Sequence, residues 1–281
     1  MKIIKLIAIL IFVASCSSES PQIKFESLLD SEWSKIVNDN PVYASSMGDL
    51  SQNTKWSDTS VENIYSDHQH ELAVLNQLNE LDISDFTEEN KVNYLLFKQQ
   101  YENSIESHAY KTFLIPFSHR GGIQLQHETT SIVPLRNKQH YLDWIERISK
   151  IDVLVDAAIE KAKIGIAEEI VPPRFLMQKV YKQIELQAFV EPKDSPFYRA
   201  FLEMDRSMDG DEVQEIQQKA LDVIKLKVIP AYLKLHRFFK DEYLPACRKS
   251  IGIKEIKNGK EYYEFLARKF TTTNLTPKEI H

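Results

Sequence analysis

The spacing of apolar residues, read with the scarcity of glycine, constrains this chain most: only seven of its 281 residues are glycine. Apolar positions recur every three to four residues, the period that buries one face of a helix. Over residues 24–40, Phe25, Leu28, Leu29, Trp33, Ile36 and Val37 form one such stripe. Asn40-Pro41 closes it, because a residue before proline is pushed out of the α region. Val61 to Leu81 repeats the pattern through Ile64, Leu72, Leu75 and Leu78. Thr87-Glu88-Glu89-Asn90 reads as the start of a helix through Val92, Leu95, Leu96 and Ile105. The expected class is mainly α.

Residues 111–136 break the rhythm. They carry Pro116, Gly121-Gly122 and Pro134, and Ile115, Phe117, Ile123 and Leu125 lie two apart on either side of the break. That period predicts a short extended or strand segment near 113–126. Helix should resume over 138–169 with an interruption near Ile151. Pro172-Pro173 suits a first helical turn leading into 175–189. A loop is expected over 191–209. A long helix should follow from Glu212 to Phe239, kinked or ended at Pro230. Ile253 to Lys257 reads as a short strand, Asn258-Gly259 as a turn, and 261–269 as helix.

The amino terminus carries a targeting signal. Lys2 and Lys5 precede an unbroken apolar run from Leu6 to Ala14, about nine residues, the size of a signal-peptide core. A membrane span needs roughly 20 apolar residues, so the run is too short to remain as an anchor. It ends in Val13-Ala14-Ser15-Cys16, which resembles a bacterial lipobox: small residues before the cut and a thiol to take the diacylglycerol. Residues 1–15 are therefore read as a lipoprotein signal peptide, Cys16 as the lipidation site, and 16–22 as a polar tether. The absence of Asp after Cys16 resembles the Gram-negative sorting pattern for the outer membrane, facing the periplasm. Losing Lys2 and Lys5 takes the basic side chains from 35 to 33 against 41 acidic ones, and the formal charge from −6 to −8. The electrostatic footprint of a nucleic-acid binder is missing. With Cys16 lipidated, Cys247 is left alone, so no internal disulfide is expected and a packed core must supply stability.

Candidate chemistry is sparse. His127-Glu128-Thr129-Thr130-Ser131 begins like a zinc-peptidase helix, but Ser131 stands where the second histidine ligand is needed. His68 and His70, two apart, would point about 200° apart on a helix, and they read as a solvated face. Cys247 has no recognisable base partner and reads as a buried structural residue. There is no GxSxG, P-loop or GxGxxG pattern, so neither a catalytic nor a metal residue is assigned. His119-Arg120-Gly121-Gly122-Ile123-Gln124 stands out, since paired glycines let a backbone approach another chain. His119, Gly121, Gly122 and Gln124 are candidates for a substrate groove in which an edge strand takes an extended peptide, and a tight turn is the alternative.

Several segments in order resemble the bacterial family known as domain of unknown function 885. They include Asn40-Pro41-Val42-Tyr43-Ala44-Ser45-Ser46-Met47-Gly48-Asp49, Pro116-Phe117-Ser118-His119-Arg120-Gly121-Gly122-Ile123-Gln124, and Tyr141-Leu142-Asp143-Trp144-Ile145-Glu146-Arg147-Ile148. Gly165-Ile166-Ala167, Val171-Pro172-Pro173-Arg174, Ser195-Pro196-Phe197-Tyr198, Ile229-Pro230-Ala231-Tyr232, Tyr243-Leu244-Pro245-Ala246-Cys247-Arg248 and Thr271 to His281 complete the set. The resemblance implies a largely helical, zincin-like peptidase fold about twice this length, whose second half carries an HExxPGH-type zinc helix. None of those positions occurs in this chain, so zinc is expected in the full-length parent only. Thr276-Pro277-Lys278-Glu279 is a capping box at a helix start, and the chain stops at His281. Residues 23–281 are accordingly expected to be the amino-terminal half of a longer domain. Two functions follow as expectations: the groove-lining half of an exported peptidase-like lipoprotein, or a non-catalytic envelope lipoprotein that binds a peptide or protein partner. A gene fragment without activity is the third reading.

Overall fold

The computed structural model describes residues 19–204 and 208–281; Cys16 and the leader lie outside the described residues. The fold is mainly helical. Helix α1 (Pro21–Asp39) is capped by Ser20, whose hydroxyl accepts the Ile23 N–H, with proline at its first turn. It stops at Asn40, and α2 (Pro41–Ser46) opens on the next proline. Ser60 caps α3 (Val61–Asn79) and Thr87 caps α4 (Glu88–Ala109), each accepting an N–H three residues on. Helices α1, α3 and α4, with Phe86 of the loop before α4, close a small core of Phe25, Leu28, Val74, Leu78, Phe86, Tyr94 and Tyr101. The stripe expected on α4 is turned outward: Val92, Leu95 and Leu96 are exposed, and the tyrosines face inward instead.

The strand expected near 113–126 is absent. Lys111 takes a left-handed conformation and a 3-10 turn follows over Thr112–Leu114. Ser118 and Gly121 exchange backbone hydrogen bonds in an isolated bridge, and Ile123–Ser131 winds as 3-10 helix. Among the described residues no second strand lies alongside to pair with. The two-residue period came from a tight turn between apolar anchors. The strand expected at 253–257 is likewise a 3-10 turn over Ile253–Glu255.

The larger core is formed by α5 (Lys138–Ile148), α6 (Ile151–Ala167), α7 (Arg174–Ala188), and a long helix built from α8 (Gly210–Val223), α9 (Ile229–Phe238) and α10 (Leu244–Ala246). The break before Ile151 falls where the sequence predicts. The long helix does not end at Pro230. It continues through two π-helical turns, Ile224–Val228 and Phe239–Tyr243. Each precedes a proline, Pro230 or Pro245, by two residues. A helix-interior proline clashes with the carbonyl four residues earlier, here Leu226 or Asp241, and both lie inside the widened turns. Tyr232, Leu235, Phe239 and Tyr243 can then stay fully buried along the helix. Helices α11 (Gly259–Thr271) and α12 (Pro277–Ile280) finish the chain, and the expected capping box is formed by Thr276 and Glu279.

The two cores are joined at α2 and the segment after it. The Arg147 side chain of α5 is fully buried and donates to Pro41 O, Ser45 Oγ (3.0 Å) and Gln52 O. Trp56 lies over that guanidinium and donates its indole N–H to Arg147 O at 2.7 Å. Lys161 of α6 reaches Thr59 O at 2.6 Å. Among the described residues no helix is long and apolar enough to cross a membrane.

Candidate functional site

The loop singled out in the sequence folds onto itself. Gln124 is fully buried, and its amide donates to Ser118 O (2.6 Å), Gly121 O (3.2 Å) and Gln183 Oε1 (3.2 Å). It therefore consumes the carbonyls that an edge strand would offer a peptide, and it faces inward rather than toward a groove. Gly122 sits at φ +122°, and a Cβ there would stand 3.0 Å from Gln124 Oε1 and 3.3 Å from Pro116 O. The paired glycines thus serve a tight turn. His119, Gly121 and Gly122 remain half-exposed at its tip, and His119 O accepts from Gln183. His127 is half-buried; its Nδ1 lies 2.9 Å from Gln187 Nε2, and burial lowers its pKa. Cys247 is a buried free thiol, as its setting in the sequence predicts.

A different place gathers polar groups. Helices α1, α3 and α4 enclose an open cleft of about 640 Å³ with Glu32, His70, Tyr101, Glu71 and Ser104 on its walls and Lys269 of α11 at its edge. Glu32 is 5 % exposed, so its carboxylate must be satisfied by protein. His70 Nε2 lies 2.9 Å from both of its oxygens, and the Tyr101 hydroxyl donates to Oε2 at 2.5 Å. Burial, then the bond to Glu32, raises the Tyr101 pKa, so the phenol holds its proton. Ser104 Oγ donates to Glu71 at 2.6 Å. Lys35 bridges Asp39 and Asp67; burial pulls its pKa down, but the two carboxylates outweigh it and the net shift is upward.

A second depression adjoins the first. There His68 stacks on His108 at 3.8 Å between ring centroids, and burial, then the neighbouring His68, lowers the His108 pKa. His68 is thus largely covered, while the His70 side chain, 38 % exposed, stays open to the cleft. α3 packs against α4 and reaches α1 through the Lys35–Asp67 and Glu32–His70 contacts, and each ring found a neighbour. The apolar pattern could not show this, because Glu32 stands on the buried side of α1, one turn after Leu28. A carboxylate at a stripe position was the available signal. The cleft can hydrogen-bond a polar ligand, but it holds no nucleophile–base–orienter set. Among the described residues no three His, Cys, Asp or Glu are placed to hold a metal ion.

Comparison with known proteins agrees with the helical architecture. The fold matches a crystal structure described as "the putative lipoprotein from Colwellia psychrerythraea", with a TM-score of 0.81 at 19% identity over 94% of this chain. The match spans 48% of that protein, so this chain covers about half its length. No curated protein matches. The model of the family described as bacterial protein of unknown function (DUF885) matches residues 41–281, which takes in the Arg147 junction, the Gln124 turn and the long π-bulged helix. The chain belongs to that family.

Proposed function

We propose that this chain is the amino-terminal, ligand-binding half of an exported, lipid-anchored, peptidase-like protein of the bacterial envelope. The observation that carries the reading is the fold match: the same helices build about half of a protein described as a lipoprotein, and this chain has Cys16 directly after a signal-like apolar run. Two or more acyl chains hold a protein stably at a membrane, so Cys16 would fix where it works, with the outer membrane as the expected address. The zinc chemistry implied by the resemblance would reside in residues this chain does not contain. Its own contribution would be groove walls, with the His119–Gly122 turn as one rim and Gln124 as its internal brace. Residues 1–15 would be the leader, 16–22 the tether and 23–281 the helical half-domain.

Metabolic labelling with an alkyne-tagged fatty acid tests the anchor. Wild-type chain should take up label and Cys16→Ser should not; label persisting in Cys16→Ser overturns the lipoprotein reading. For the peptidase part, a longer family member carrying the HExxPGH-type helix should hold about one zinc per chain, and its absence overturns the reading. The non-catalytic alternative, an envelope lipoprotein that only binds a peptide or protein partner, is favoured by the polar cleft above Glu32.

A further inference from the structure

A cavity of about 580 Å³ lies between α2, the loop after it, and the segment leading into α5. No acidic side chain lines it. Asp49, the nearest carboxylate in sequence, is turned away to accept the Ser51 N–H. Arg136 and His140 line one end, and Asn137, which caps α5, stands beside them outside the lining. The Arg136 backbone N–H donates to His140 Nδ1 at 3.2 Å, which leaves the ring proton on Nε2. The Asn137 amide is oriented by its Oδ1 accepting the His140 backbone N–H at 3.0 Å. Its NH2 group therefore faces His140 Nε2, at 3.5 Å. The Arg136 guanidinium is exposed and forms no ion pair among the described residues. Behind Ser45 the buried Arg147 guanidinium adds positive potential.

The remaining walls have the opposite hydrogen-bond character. Ser46 Oγ, Thr130 Oγ1 and Ser131 Oγ each spend their proton on a carbonyl three residues back, those of Tyr43, His127 and Glu128. Their lone pairs are left to accept from a ligand. Leu50, Val133 and Leu135 supply an apolar wall.

We propose that this cavity binds the carboxyl-terminal end of a peptide. The terminal carboxylate would sit between Arg136 and the His140 Nε2–H, where a guanidinium offers paired N–H donors to a planar acceptor. The last peptide N–H groups would donate to the hydroxyls, and an apolar terminal side chain would cover Leu50 and Leu135. A phosphate would satisfy the donors but leave the apolar wall and hydroxyl acceptors unused. The site is separate from the Glu32 cleft.

Calorimetric titration of the purified full chain tests it with three probes: acetyl-Ala-Leu with a free carboxylate, the same dipeptide amidated, and inorganic phosphate. The free acid should bind, with the amide at least about tenfold weaker and phosphate weaker than the acid. Arg136→Met and His140→Leu should each weaken the acid about tenfold, and His140→Gln, which keeps an N–H donor, should recover most of the loss. Arg136 is exposed, so Arg136→Met should melt like wild type and decides the matter if His140→Leu unfolds. No binding of the acid, equal affinity for acid and amide, or an Arg136→Met chain that binds as wild type overturns the proposal. Phosphate binding as tightly as the acid overturns the peptide as occupant.

Discussion

Arg147 shows what one residue can hold in place. Its guanidinium is fully buried, and Nε and Nη1 lack partners among the described residues. Burial lowers its pKa to about 10, with Asp143 opposing, so it remains charged at neutral pH. Removing the side chain leaves a void beside Ser45, Gln52 O and Trp56, so Arg147→Ala should cost about 3–5 kcal/mol in chemical denaturation. Arg147→Met, which refills the space without a charge to desolvate, should cost markedly less. Equal losses would mean that the charge, not the packing, joins the two cores. Burial pushes the Cys247 thiol up to about 12 from a usual value of 9.0. The folded chain then keeps a proton that the unfolded chain releases, so this group's contribution to stability is intact below pH 9.0 and falls as pH rises toward about 12. At pH 8 a disulfide exchange reagent should label Cys247 slowly when native and fast in denaturant; equal rates would contradict its burial.

Among the elements, the long helix illustrates how a local rule is overridden. A proline inside a straight α-helix costs about 3 kcal/mol. Pro230 follows a π-turn that has already moved the Leu226 carbonyl aside, so Pro230→Ala should change stability by less than about 1 kcal/mol. A stabilisation near 3 kcal/mol would show that the clash was never relieved. Gly165 in α6 is the reverse case. A Cβ there would stand 2.7 Å from Leu114 O and 2.9 Å from Ile170 O, both backbone atoms. Gly165→Ala should therefore destabilise by about 1–3 kcal/mol despite alanine's better helix propensity. An unchanged melting temperature would count against that close approach.

For the molecule as a whole, the division into two cores has a consequence for opening. Leu78 is fully buried in the smaller core, which has far fewer apolar side chains than the one around α6 and α9. Leu78→Ala should cost about 2–5 kcal/mol. Hydrogen exchange should accelerate in α1, α3 and α4 more than in α6 and α9, because local units open independently when few contacts join them. Uniform acceleration would mean one cooperative unit. Much of this organisation was legible in advance. The helix start at Thr87, the interruption before Ile151 and the Thr276 capping box rest on interactions within four residues, so local patterning suffices. The strand near 113–126 and the outward stripe of α4 were misread because a period of two or of three to four states a spacing, not which side meets a neighbour. Only packing decided that Tyr94 and Tyr101 turn inward, that Gln124 closes a turn instead of leaving an edge, and that Glu32, His70 and Tyr101 meet across 69 residues of chain. By itself the sequence determined the helical class and most helix boundaries, since those follow from backbone hydrogen bonds and caps between near neighbours. The sites were decided by the tertiary structure, because a buried carboxylate such as Glu32 exists only once distant segments exclude water around it.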